Sequence, residues 1–321
     1  MKKISVQPRP EADEENSFLR DVITGLSAQP KWMAAKHFYD AEGSRLFERI
    51  MRLPEYYPTR SEMQALRENA AEIAALIPDG AALVEFGAGS NAKIRLLLKA
   101  APQIAAYVPV DISAEYLEEQ AQEMRRDFPN LKILPVAADF TKRFELQLSV
   151  RAMPRAGFFP GSTIGNFEPL AAVGFLRNAA RILGEGAPLI IGVDLVKDER
   201  VLNAAYNDAQ GVTAAFNLNL LARINREAGA DFDLSSFEHR AFFNAGRERM
   251  EMYLVSRKKQ TVTVGGRPFE FERGETIHTE NSYKYTREGF RDLARQAGWI
   301  EHALWTDPAG NFSVRALKTK S

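Results

Sequence analysis

Glycines and acidic residues follow the short apolar runs in the middle of this 321-residue chain. Gly87 and Gly89 come directly after the run at residues 83–86, and a helical pattern begins at Asn91. Glycine permits a positive φ and lets a bulky ligand approach the backbone, while a helix start offers unpaired N–H groups. The pattern is typical of a strand that opens a nucleoside-binding crevice. The alternative is a tight turn that binds nothing, because a short glycine motif is weak evidence by itself.

The spacing of the two glycines narrows the class of ligand. It fits G-x-G but lacks the third glycine of a dinucleotide fingerprint, because Ala92 occupies that position. The sequence therefore favours a mononucleoside-type cofactor such as S-adenosylmethionine over NAD. One competing class is an NAD-linked oxidoreductase, which also needs a catalytic histidine or a tyrosine–lysine pair. Another is a module that binds the cofactor without turnover.

Two carboxylates follow the next two apolar runs. Asp111 ends the run at residues 105–110, and Asp139 comes after the run at residues 131–136. Ligands of open α/β sheets bind outside the carboxyl ends of the strands, where Asp111 could accept hydrogen bonds from both ribose hydroxyls. Asp139 could accept from an adenine amino group, with Phe140 packing on the ring. The alternatives are a spacer before a helix capped by Ser113 and a solvated loop residue.

Composition excludes several classes of function. Lys+Arg and Asp+Glu are both 42, so the chain lacks the basic surface that nucleic acid or an anionic membrane requires. The absence of cysteine excludes disulfides, thiolate catalysis and zinc–thiolate sites, and it is compatible with a cytoplasmic location. The four histidines lack ligand spacing, so we expect no metal site. No secretory signal and no apolar run of about 20 residues is visible.

Strand and helix patterns alternate from residue 81 onward. The predicted strands lie near residues 82–86, 105–110, 131–136, 155–160 and 187–193, and the predicted helices at 91–100, 113–127 and 168–183. This alternation predicts an α/β fold with a parallel sheet, helices on both faces and right-handed crossovers.

The remaining patterns divide the chain into four parts. Residues 1–60 form an aromatic-rich helical segment that we expect to pack on the core. Residues 61–196 form the core itself. A helix predicted over 59–76, with Thr59 and Glu62 as a capping box, spans the boundary between these two parts. Residues 197–285 form an inserted α+β substrate domain, with two helices and an antiparallel sheet that turns at Gly265-Gly266. Residues 286–321 add a closing helix and hairpin that rejoin the first sheet.

Several motifs resemble those of a known family. They are Phe38-Tyr39-Asp40, Leu53-Pro54-Glu55-Tyr56-Tyr57-Pro58-Thr59-Arg60, Glu85-Phe86-Gly87-Ala88-Gly89-Ser90, Pro160-Gly161-Ser162-Thr163-Ile164-Gly165-Asn166 and Thr279-Glu280-Asn281-Ser282-Tyr283-Lys284. With them the chain, from about residue 17 to 317, resembles the S-adenosylmethionine-dependent histidine Nα-methyltransferases of ergothioneine biosynthesis. The resemblance implies a class I, Rossmann-like methyltransferase core with an inserted domain. It also implies up to three methyl transfers to the α-amino group of L-histidine, giving hercynine.

The resemblance implies a role for each matching residue. The residues expected to contact S-adenosylmethionine are Tyr39, Gly87, Gly89, Lys93, Asp111, Asp139 and Phe140. Those expected to handle the carboxylate and amine of the amino acid are Gly161, Asn166 and Tyr206. Those expected to line the imidazole pocket are Tyr56, Met252, Glu280 and Ser282. Tyr39 is the candidate catalytic residue, because it would orient the amine.

The same family includes relatives that act on other amino acids, such as prenylated tryptophan. Glu280 with Ser282 favours histidine, because a carboxylate and a hydroxyl can pair with the imidazole N–H groups, whereas an indole would prefer an apolar wall. The expected partner is therefore a small-molecule amino acid, L-histidine. We also expect the protein to be a monomer. Plain structural roles are the alternatives: core packing for Tyr56, Met252 and Tyr206, a turn for Asn166 and a solvated face for Glu280.

Overall fold

The computed structural model describes residues 11–89 and 91–319, with side chains from Ser17 onward. Ser90, the last residue of the glycine-rich turn, lies outside the described residues. The chain divides into two compact units. The insert unit comprises the residues up to Tyr57 together with Lys197–Ser282, and the core unit comprises Pro58–Val196 and the residues from Tyr283 onward.

Helices and strands are numbered here in chain order within the described residues. The helices are α1 (Glu11–Ser27), α2 (Ala41–Ile50), α3 (Tyr57–Glu68), α4 (Ala70–Ala74), α5 (Asn91–Ala100), α6 (Ala114–Asp127), α7 (Leu148–Arg151), α8 (Pro169–Leu183), α9 (Glu199–Tyr206), α10 (Val212–Glu227) and α11 (Arg287–Gln296). The strands are β1 (Lys31–Trp32), β2 (Ala82–Phe86), β3 (Ala106–Asp111), β4 (Lys132–Ile133), β5 (Val136–Ala137), β6 (Arg155–Phe159), β7 (Pro188–Asp194), β8 (Phe237–Asn244), β9 (Arg249–Ser256), β10 (Gln260–Val264), β11 (Arg267–Phe271), β12 (Thr276–Tyr283), β13 (Trp299–Thr306) and β14 (Phe312–Thr319).

The core unit is built on one mostly parallel sheet with the strand order β13-β14-β7-β6-β2-β3-β4, and β5 also pairs with β3. The pairs from β7 to β4 are parallel, while β14 runs antiparallel to both β7 and β13. The first strand of this sheet in chain order, β2, lies in its middle. The strands β3 and β4 follow on one side of β2, and β6 pairs with the other side of β2. This reversal creates a switch point between β2 and β6, where such sheets bind ligands. The predicted parallel sheet and antiparallel closing hairpin are confirmed.

Both faces of this sheet are covered, which explains why its strands read as continuous apolar runs. On one face Val84 packs with Phe175 of α8 and Phe290 of α11. On the other face Leu83 packs with Leu97 of α5 and Met124 of α6. The sheet therefore presents only its edges and strand ends to ligands.

Two predicted elements of the core unit are wrong in detail. The helix predicted over 59–76 is broken into α3 and α4 at Asn69, whose side chain donates to the Ala65 carbonyl, 2.8 Å away. Asparagine competes with the helix backbone in this way, which accounts for the break. The strand predicted over 131–136 is two short strands, β4 and β5, because Pro135 has no N–H to donate to a ladder.

The insert unit holds a four-stranded sheet, in the order β1-β12-β9-β8, and the separate hairpin β10-β11. The predicted Gly265-Gly266 turn joins the two strands of that hairpin. Its apolar core includes Phe38 and Leu46 from the N-terminal segment together with Phe216 and Ile277. The N-terminal segment shares its apolar core with residues 197–282, and its strand β1 pairs with β12.

Candidate functional site

The glycine-rich turn of the core unit lies at the switch point, after β2. The N–H groups of Gly87 and Ala88 donate to the Val110 carbonyl of β3, at 2.9 and 3.2 Å. Gly87 has a φ of +73°, and a Cβ there would lie 3.3 Å from the Phe140 ring. A Cβ on Gly89 would meet no atom within 4 Å. Glycine is therefore required at position 87, and the backbone at position 89 is open to a ligand.

Asp111 and Asp139 lie at the carboxyl ends of the neighbouring strands, as predicted. Asp111 Oδ1 accepts from the Ser113 N–H at 3.0 Å, and burial raises the pKa of this carboxyl. Ser113 occupies the N-cap position of α6 but makes no capping bond with its side chain. For Asp139, burial alone would raise the pKa, but hydrogen bonds from Thr141 and Lys142 lower it overall. Asp139 is thus an ionised acceptor at neutral pH.

The Phe140 ring lies over the glycine-rich turn. It packs edge-on against Phe159 and Phe175, each with its ring centroid 5.9 Å away. The amide of Asn178 donates to the Lys142 carbonyl at 2.6 Å and so fixes the loop that carries Phe140. The structure therefore brings Gly87 and Phe140 together, next to the strand that ends in Asp111.

Lys93, in the first turn of α5, is buried beneath this region. Its Nζ atom lies 2.5 Å from Oε2 of Glu62, a residue that is 1% exposed. The Gly161 N–H donates to both oxygens of the same carboxylate, at 2.8 and 3.0 Å. The structure thus joins a residue predicted to bind the cofactor to one predicted to bind the amino acid.

Sequence reasoning missed Glu62, because it assigned that side chain to the cap of a helix. The helix begins two residues earlier, at Tyr57, and the carboxylate of Glu62 is engaged by Gly161 and Lys93 instead. A signal was present, because Ala65 and Leu66 lie three and four residues further on and are both buried. Helical spacing therefore places an acidic side chain on the apolar face of α3.

Glu85 is a second buried carboxyl near the turn. Tyr107 donates a hydrogen bond to its Oε2 atom at 2.5 Å. Burial raises the pKa of Glu85 to about 8, against the opposing effects of the Tyr107 hydrogen bond and the charge of Lys93. The charges of Glu62 and Asp111 add to the rise. Glu85 is therefore predominantly protonated at neutral pH.

We expect Glu85 to make the stability of the fold depend on pH. A folded-state pKa of about 8, above the usual 4.5, contributes stability that is full below pH 4.5 and lost as the pH rises through 8. Glu85→Gln stays neutral and lacks this loss. Between pH 6 and 9, wild type should lose more than about 1 kcal/mol of unfolding free energy relative to the variant, because one pKa unit corresponds to about 1.4 kcal/mol. Urea unfolding at both pH values measures the difference, and parallel pH dependences of the two proteins would contradict it.

Tyr39 and Tyr56 belong to the insert unit and pack on the same ring. Phe47 lies 5.7 Å from the Tyr39 ring and 6.3 Å from the Tyr56 ring, both edge-on. Tyr39 is 43% exposed, and it immediately precedes Asp40, which caps α2 by accepting from the Gly43 N–H at 2.7 Å. This cap fixes the backbone that presents Tyr39.

Tyr206 is tied to β12 through a buried polar network. His239 Nε2 donates to the Tyr206 carbonyl at 2.9 Å, and its Nδ1 accepts from the Asn217 amide at 2.9 Å. Asn217 Oδ1 accepts from Thr279 of β12 at 2.8 Å. Burial lowers the pKa of His239, so the ring is neutral and can accept at Nδ1.

Met252, Glu280 and Ser282 lie on neighbouring strands of the insert sheet. Met252 is buried in the apolar core, as its plain packing role would require. Along β12 the alternation of buried and half-buried residues holds from Ile277 to Glu280 but then fails, since Ser282 and Tyr283 are both buried. The alternation expected of a strand therefore does not show which face of the insert sheet carries Glu280 and Ser282.

The described residues also bear on metals and membranes. They contain no group of three or more His, Asp or Glu side chains that could hold a metal ion. In the same part of the chain, no helix is long and apolar enough to cross a bilayer. Of the four histidines, His37 lies 3.2 Å from Asp21, and burial lowers the pKa of His37 to about 4.

Comparisons with known proteins agree with this geometry. A family model described as "Histidine-specific methyltransferase, SAM-dependent" matches residues 18–319. A histidine N-alpha-methyltransferase of Mycolicibacterium smegmatis is 44% identical, over 92% of each chain. One from Mycobacterium tuberculosis is 40% identical, also over 92% of each chain. A 4-dimethylallyltryptophan N-methyltransferase of Trichophyton verrucosum is 29% identical, over 95% of this chain and 94% of its own.

The family match extends over both units, and the sheet order with its antiparallel closing hairpin is the class I fold expected from the motifs. The predicted enzyme class and cofactor are therefore confirmed. The chain belongs to the S-adenosylmethionine-dependent, histidine-specific methyltransferases.

Proposed function

We propose that this chain methylates the α-amino group of L-histidine up to three times, with S-adenosylmethionine as donor, and yields hercynine for ergothioneine biosynthesis. The observation that carries the proposal is the row of Gly87, Asp111, Asp139 and Phe140 at adjoining strand ends. Family membership narrows the substrate to histidine.

The residues at the switch point fit S-adenosylmethionine. The open backbone at Gly89 would give room for the bulky donor, and Asp111 would accept hydrogen bonds from the ribose hydroxyls. Asp139 would accept from the adenine amino group, and Phe140 would pack on the adenine. Lys93 and Tyr39 complete the proposed contacts. When bound, this cofactor supplies a methyl group already activated on a sulfonium centre, so no metal ligand is needed.

The remaining site residues would recognise histidine. We assign the imidazole to Glu280 and Ser282, with Tyr56 and Met252 as the apolar wall. Gly161, Asn166 and Tyr206 would hold the carboxylate and the amine. A carboxylate that accepts from an imidazole N–H gives a charge-assisted hydrogen bond, which is stronger than a neutral one.

The amine must lose its proton before each transfer. A peptide α-amine titrates near ~7.7–8 and the amine of a free amino acid titrates higher, and each pKa unit of adjustment costs about 1.4 kcal/mol. A cationic neighbour favours the neutral amine. Tyr39 would orient the amine lone pair, and such positioning can lower the barrier by on the order of 7–11 kcal/mol. Contact with the amine must be loose, because three methyl groups are added in turn.

A second candidate substrate is another amino acid, such as a tryptophan derivative. The relative from Trichophyton verrucosum favours it. Calorimetric titration with each of the twenty amino acids, in the presence of S-adenosylhomocysteine, separates the two. We expect L-histidine to bind most tightly. If tryptophan binds more tightly than L-histidine, the assignment of histidine as the substrate is wrong.

The proposal also includes a monomer located in the cytoplasm. The lack of cysteine and the balanced charge are compatible with both. Gel filtration with light scattering should give a mass near 35.9 kDa, and a mass twice as large would contradict the monomer.

A further inference from the structure

Glu62 has an unusual position for a carboxylate. It is 1% exposed and lies on α3, next to the central strands of the core unit. Its only charged contact among the described residues is the ammonium of Lys93, and its two oxygens also share the Gly161 N–H. Replacing a buried ion pair by apolar residues of similar volume is often neutral or stabilising, so stability alone does not explain this pair.

Gly192 of β7 provides the space for this carboxylate. A Cβ at position 192 would come within 2.1 Å of Glu62 Oε1, so any other residue would displace the side chain. A buried glycine in the middle of a strand weakens that strand, because it contributes no packing. Gly192 therefore weakens β7 but leaves the space in which the carboxylate lies between Lys93 and Gly161.

The two partners of Glu62 belong to different parts of the proposed site. Lys93 is in the helix that follows the glycine-rich turn, and Gly161 begins the loop that ends in Asn166. One carboxylate thus links the segment assigned to the cofactor and the segment assigned to the amino acid. Because Glu62 contacts both segments, a displacement of one segment would displace the other through this carboxylate.

We propose that Glu62 is a positioning residue that sets the affinity for both S-adenosylmethionine and L-histidine. It contacts neither ligand, and it acts by holding the Lys93 ammonium and the Gly161 peptide in fixed positions. The inference rests on the proposed function, because it takes the ligand assignments of Lys93 and Gly161 from it.

Two variants disturb Glu62 by different means. Glu62→Gln removes the charge but keeps the size, and Gly192→Ala keeps the charge but displaces the carboxylate. Glu301→Gln is the control, because Glu301, on β13 of the same unit, is half-buried and forms an ion pair with the buried Arg315 at 2.6 Å. For each variant, calorimetry gives the dissociation constants of S-adenosylhomocysteine and L-histidine, circular dichroism gives the folded fraction, and turnover of histidine gives KM and kcat.

We expect Glu62→Gln and Gly192→Ala to raise both dissociation constants and both KM values by about 10-fold or more, the ratio that corresponds to 1.4 kcal/mol. Glu301→Gln should lower the melting temperature without changing either affinity. Wild-type affinities in whichever of the two variants folds would overturn the proposal. So would failure of both variants to fold, or an equal loss of affinity in the control. If wild type itself leaves histidine unmethylated, the proposed function fails, whereas the affinities for S-adenosylhomocysteine still test the positioning role.

Discussion

Replacing Glu280 with alanine is expected to weaken L-histidine binding by about 1.5–3 kcal/mol, the scale of a hydrogen bond to a charged group. This corresponds to an affinity on the order of 10-fold to 150-fold lower. The affinity for S-adenosylhomocysteine should change little, because the imidazole and not the cofactor is assigned to Glu280. Titration calorimetry of both ligands measures the two effects separately.

Glu270→Ala provides the comparison for this variant. Glu270 is an exposed glutamate on β11 of the same unit, so its loss removes the same charge without touching the assigned residues. The control should bind histidine as wild type does. Unchanged histidine binding by Glu280→Ala, with a folded protein, removes Glu280 from the pocket and reopens the choice between histidine and other amino acids.

Replacing Asp111 with alanine should weaken S-adenosylhomocysteine binding by a similar factor, about 1.5–3 kcal/mol, and histidine binding by less. The carboxylate must be ionised to accept from two hydroxyls, and burial raises its pKa. The affinity of wild type for S-adenosylhomocysteine should therefore fall as the pH drops toward that pKa. Asp111→Ala should lack this fall.

The exposed Asp79, in the turn before β2, is the matched control for Asp111. Asp79→Ala should bind both ligands normally and keep the pH dependence. Equal losses for the two ligands in Asp111→Ala would argue against the ribose role, since a general distortion of the core unit affects both sites alike.

Much of the core unit could be predicted from periodicity. A strand that is buried on both faces reads as an apolar run, so β2 has the predicted bounds of 82–86. The helical pattern that follows gives α5 its predicted bounds of 91–100. The glycine and the acidic residues at the ends of the central strands were then expected at one edge of the sheet. Gly87, Asp111 and Asp139 do lie at the ends of adjoining strands there. Local pattern carries this information because each element is short and its neighbours in sequence are also neighbours in space.

Long-range pairing could not be predicted in the same way. The strand β1 has only two residues, and its partner β12 lies more than 240 positions further along the chain, at Ile277. No local pattern identifies such a partner, so the pairing of β1 with β12 could not be predicted from the sequence. The partners of Glu62 could not be predicted for a related reason, because Lys93 and Gly161 come from two distant segments. Its burial on an apolar helix face is visible in the sequence, but its partners are not.

The most direct test of the account is the product formed from L-histidine. Purified protein incubated with S-adenosylmethionine and L-histidine is analysed by mass spectrometry, with fragmentation to locate the added groups. The account predicts one, two and finally three methyl groups, all on the α-nitrogen, with S-adenosylhomocysteine formed in step. Unmodified histidine, or methyl groups on the imidazole ring, would contradict it.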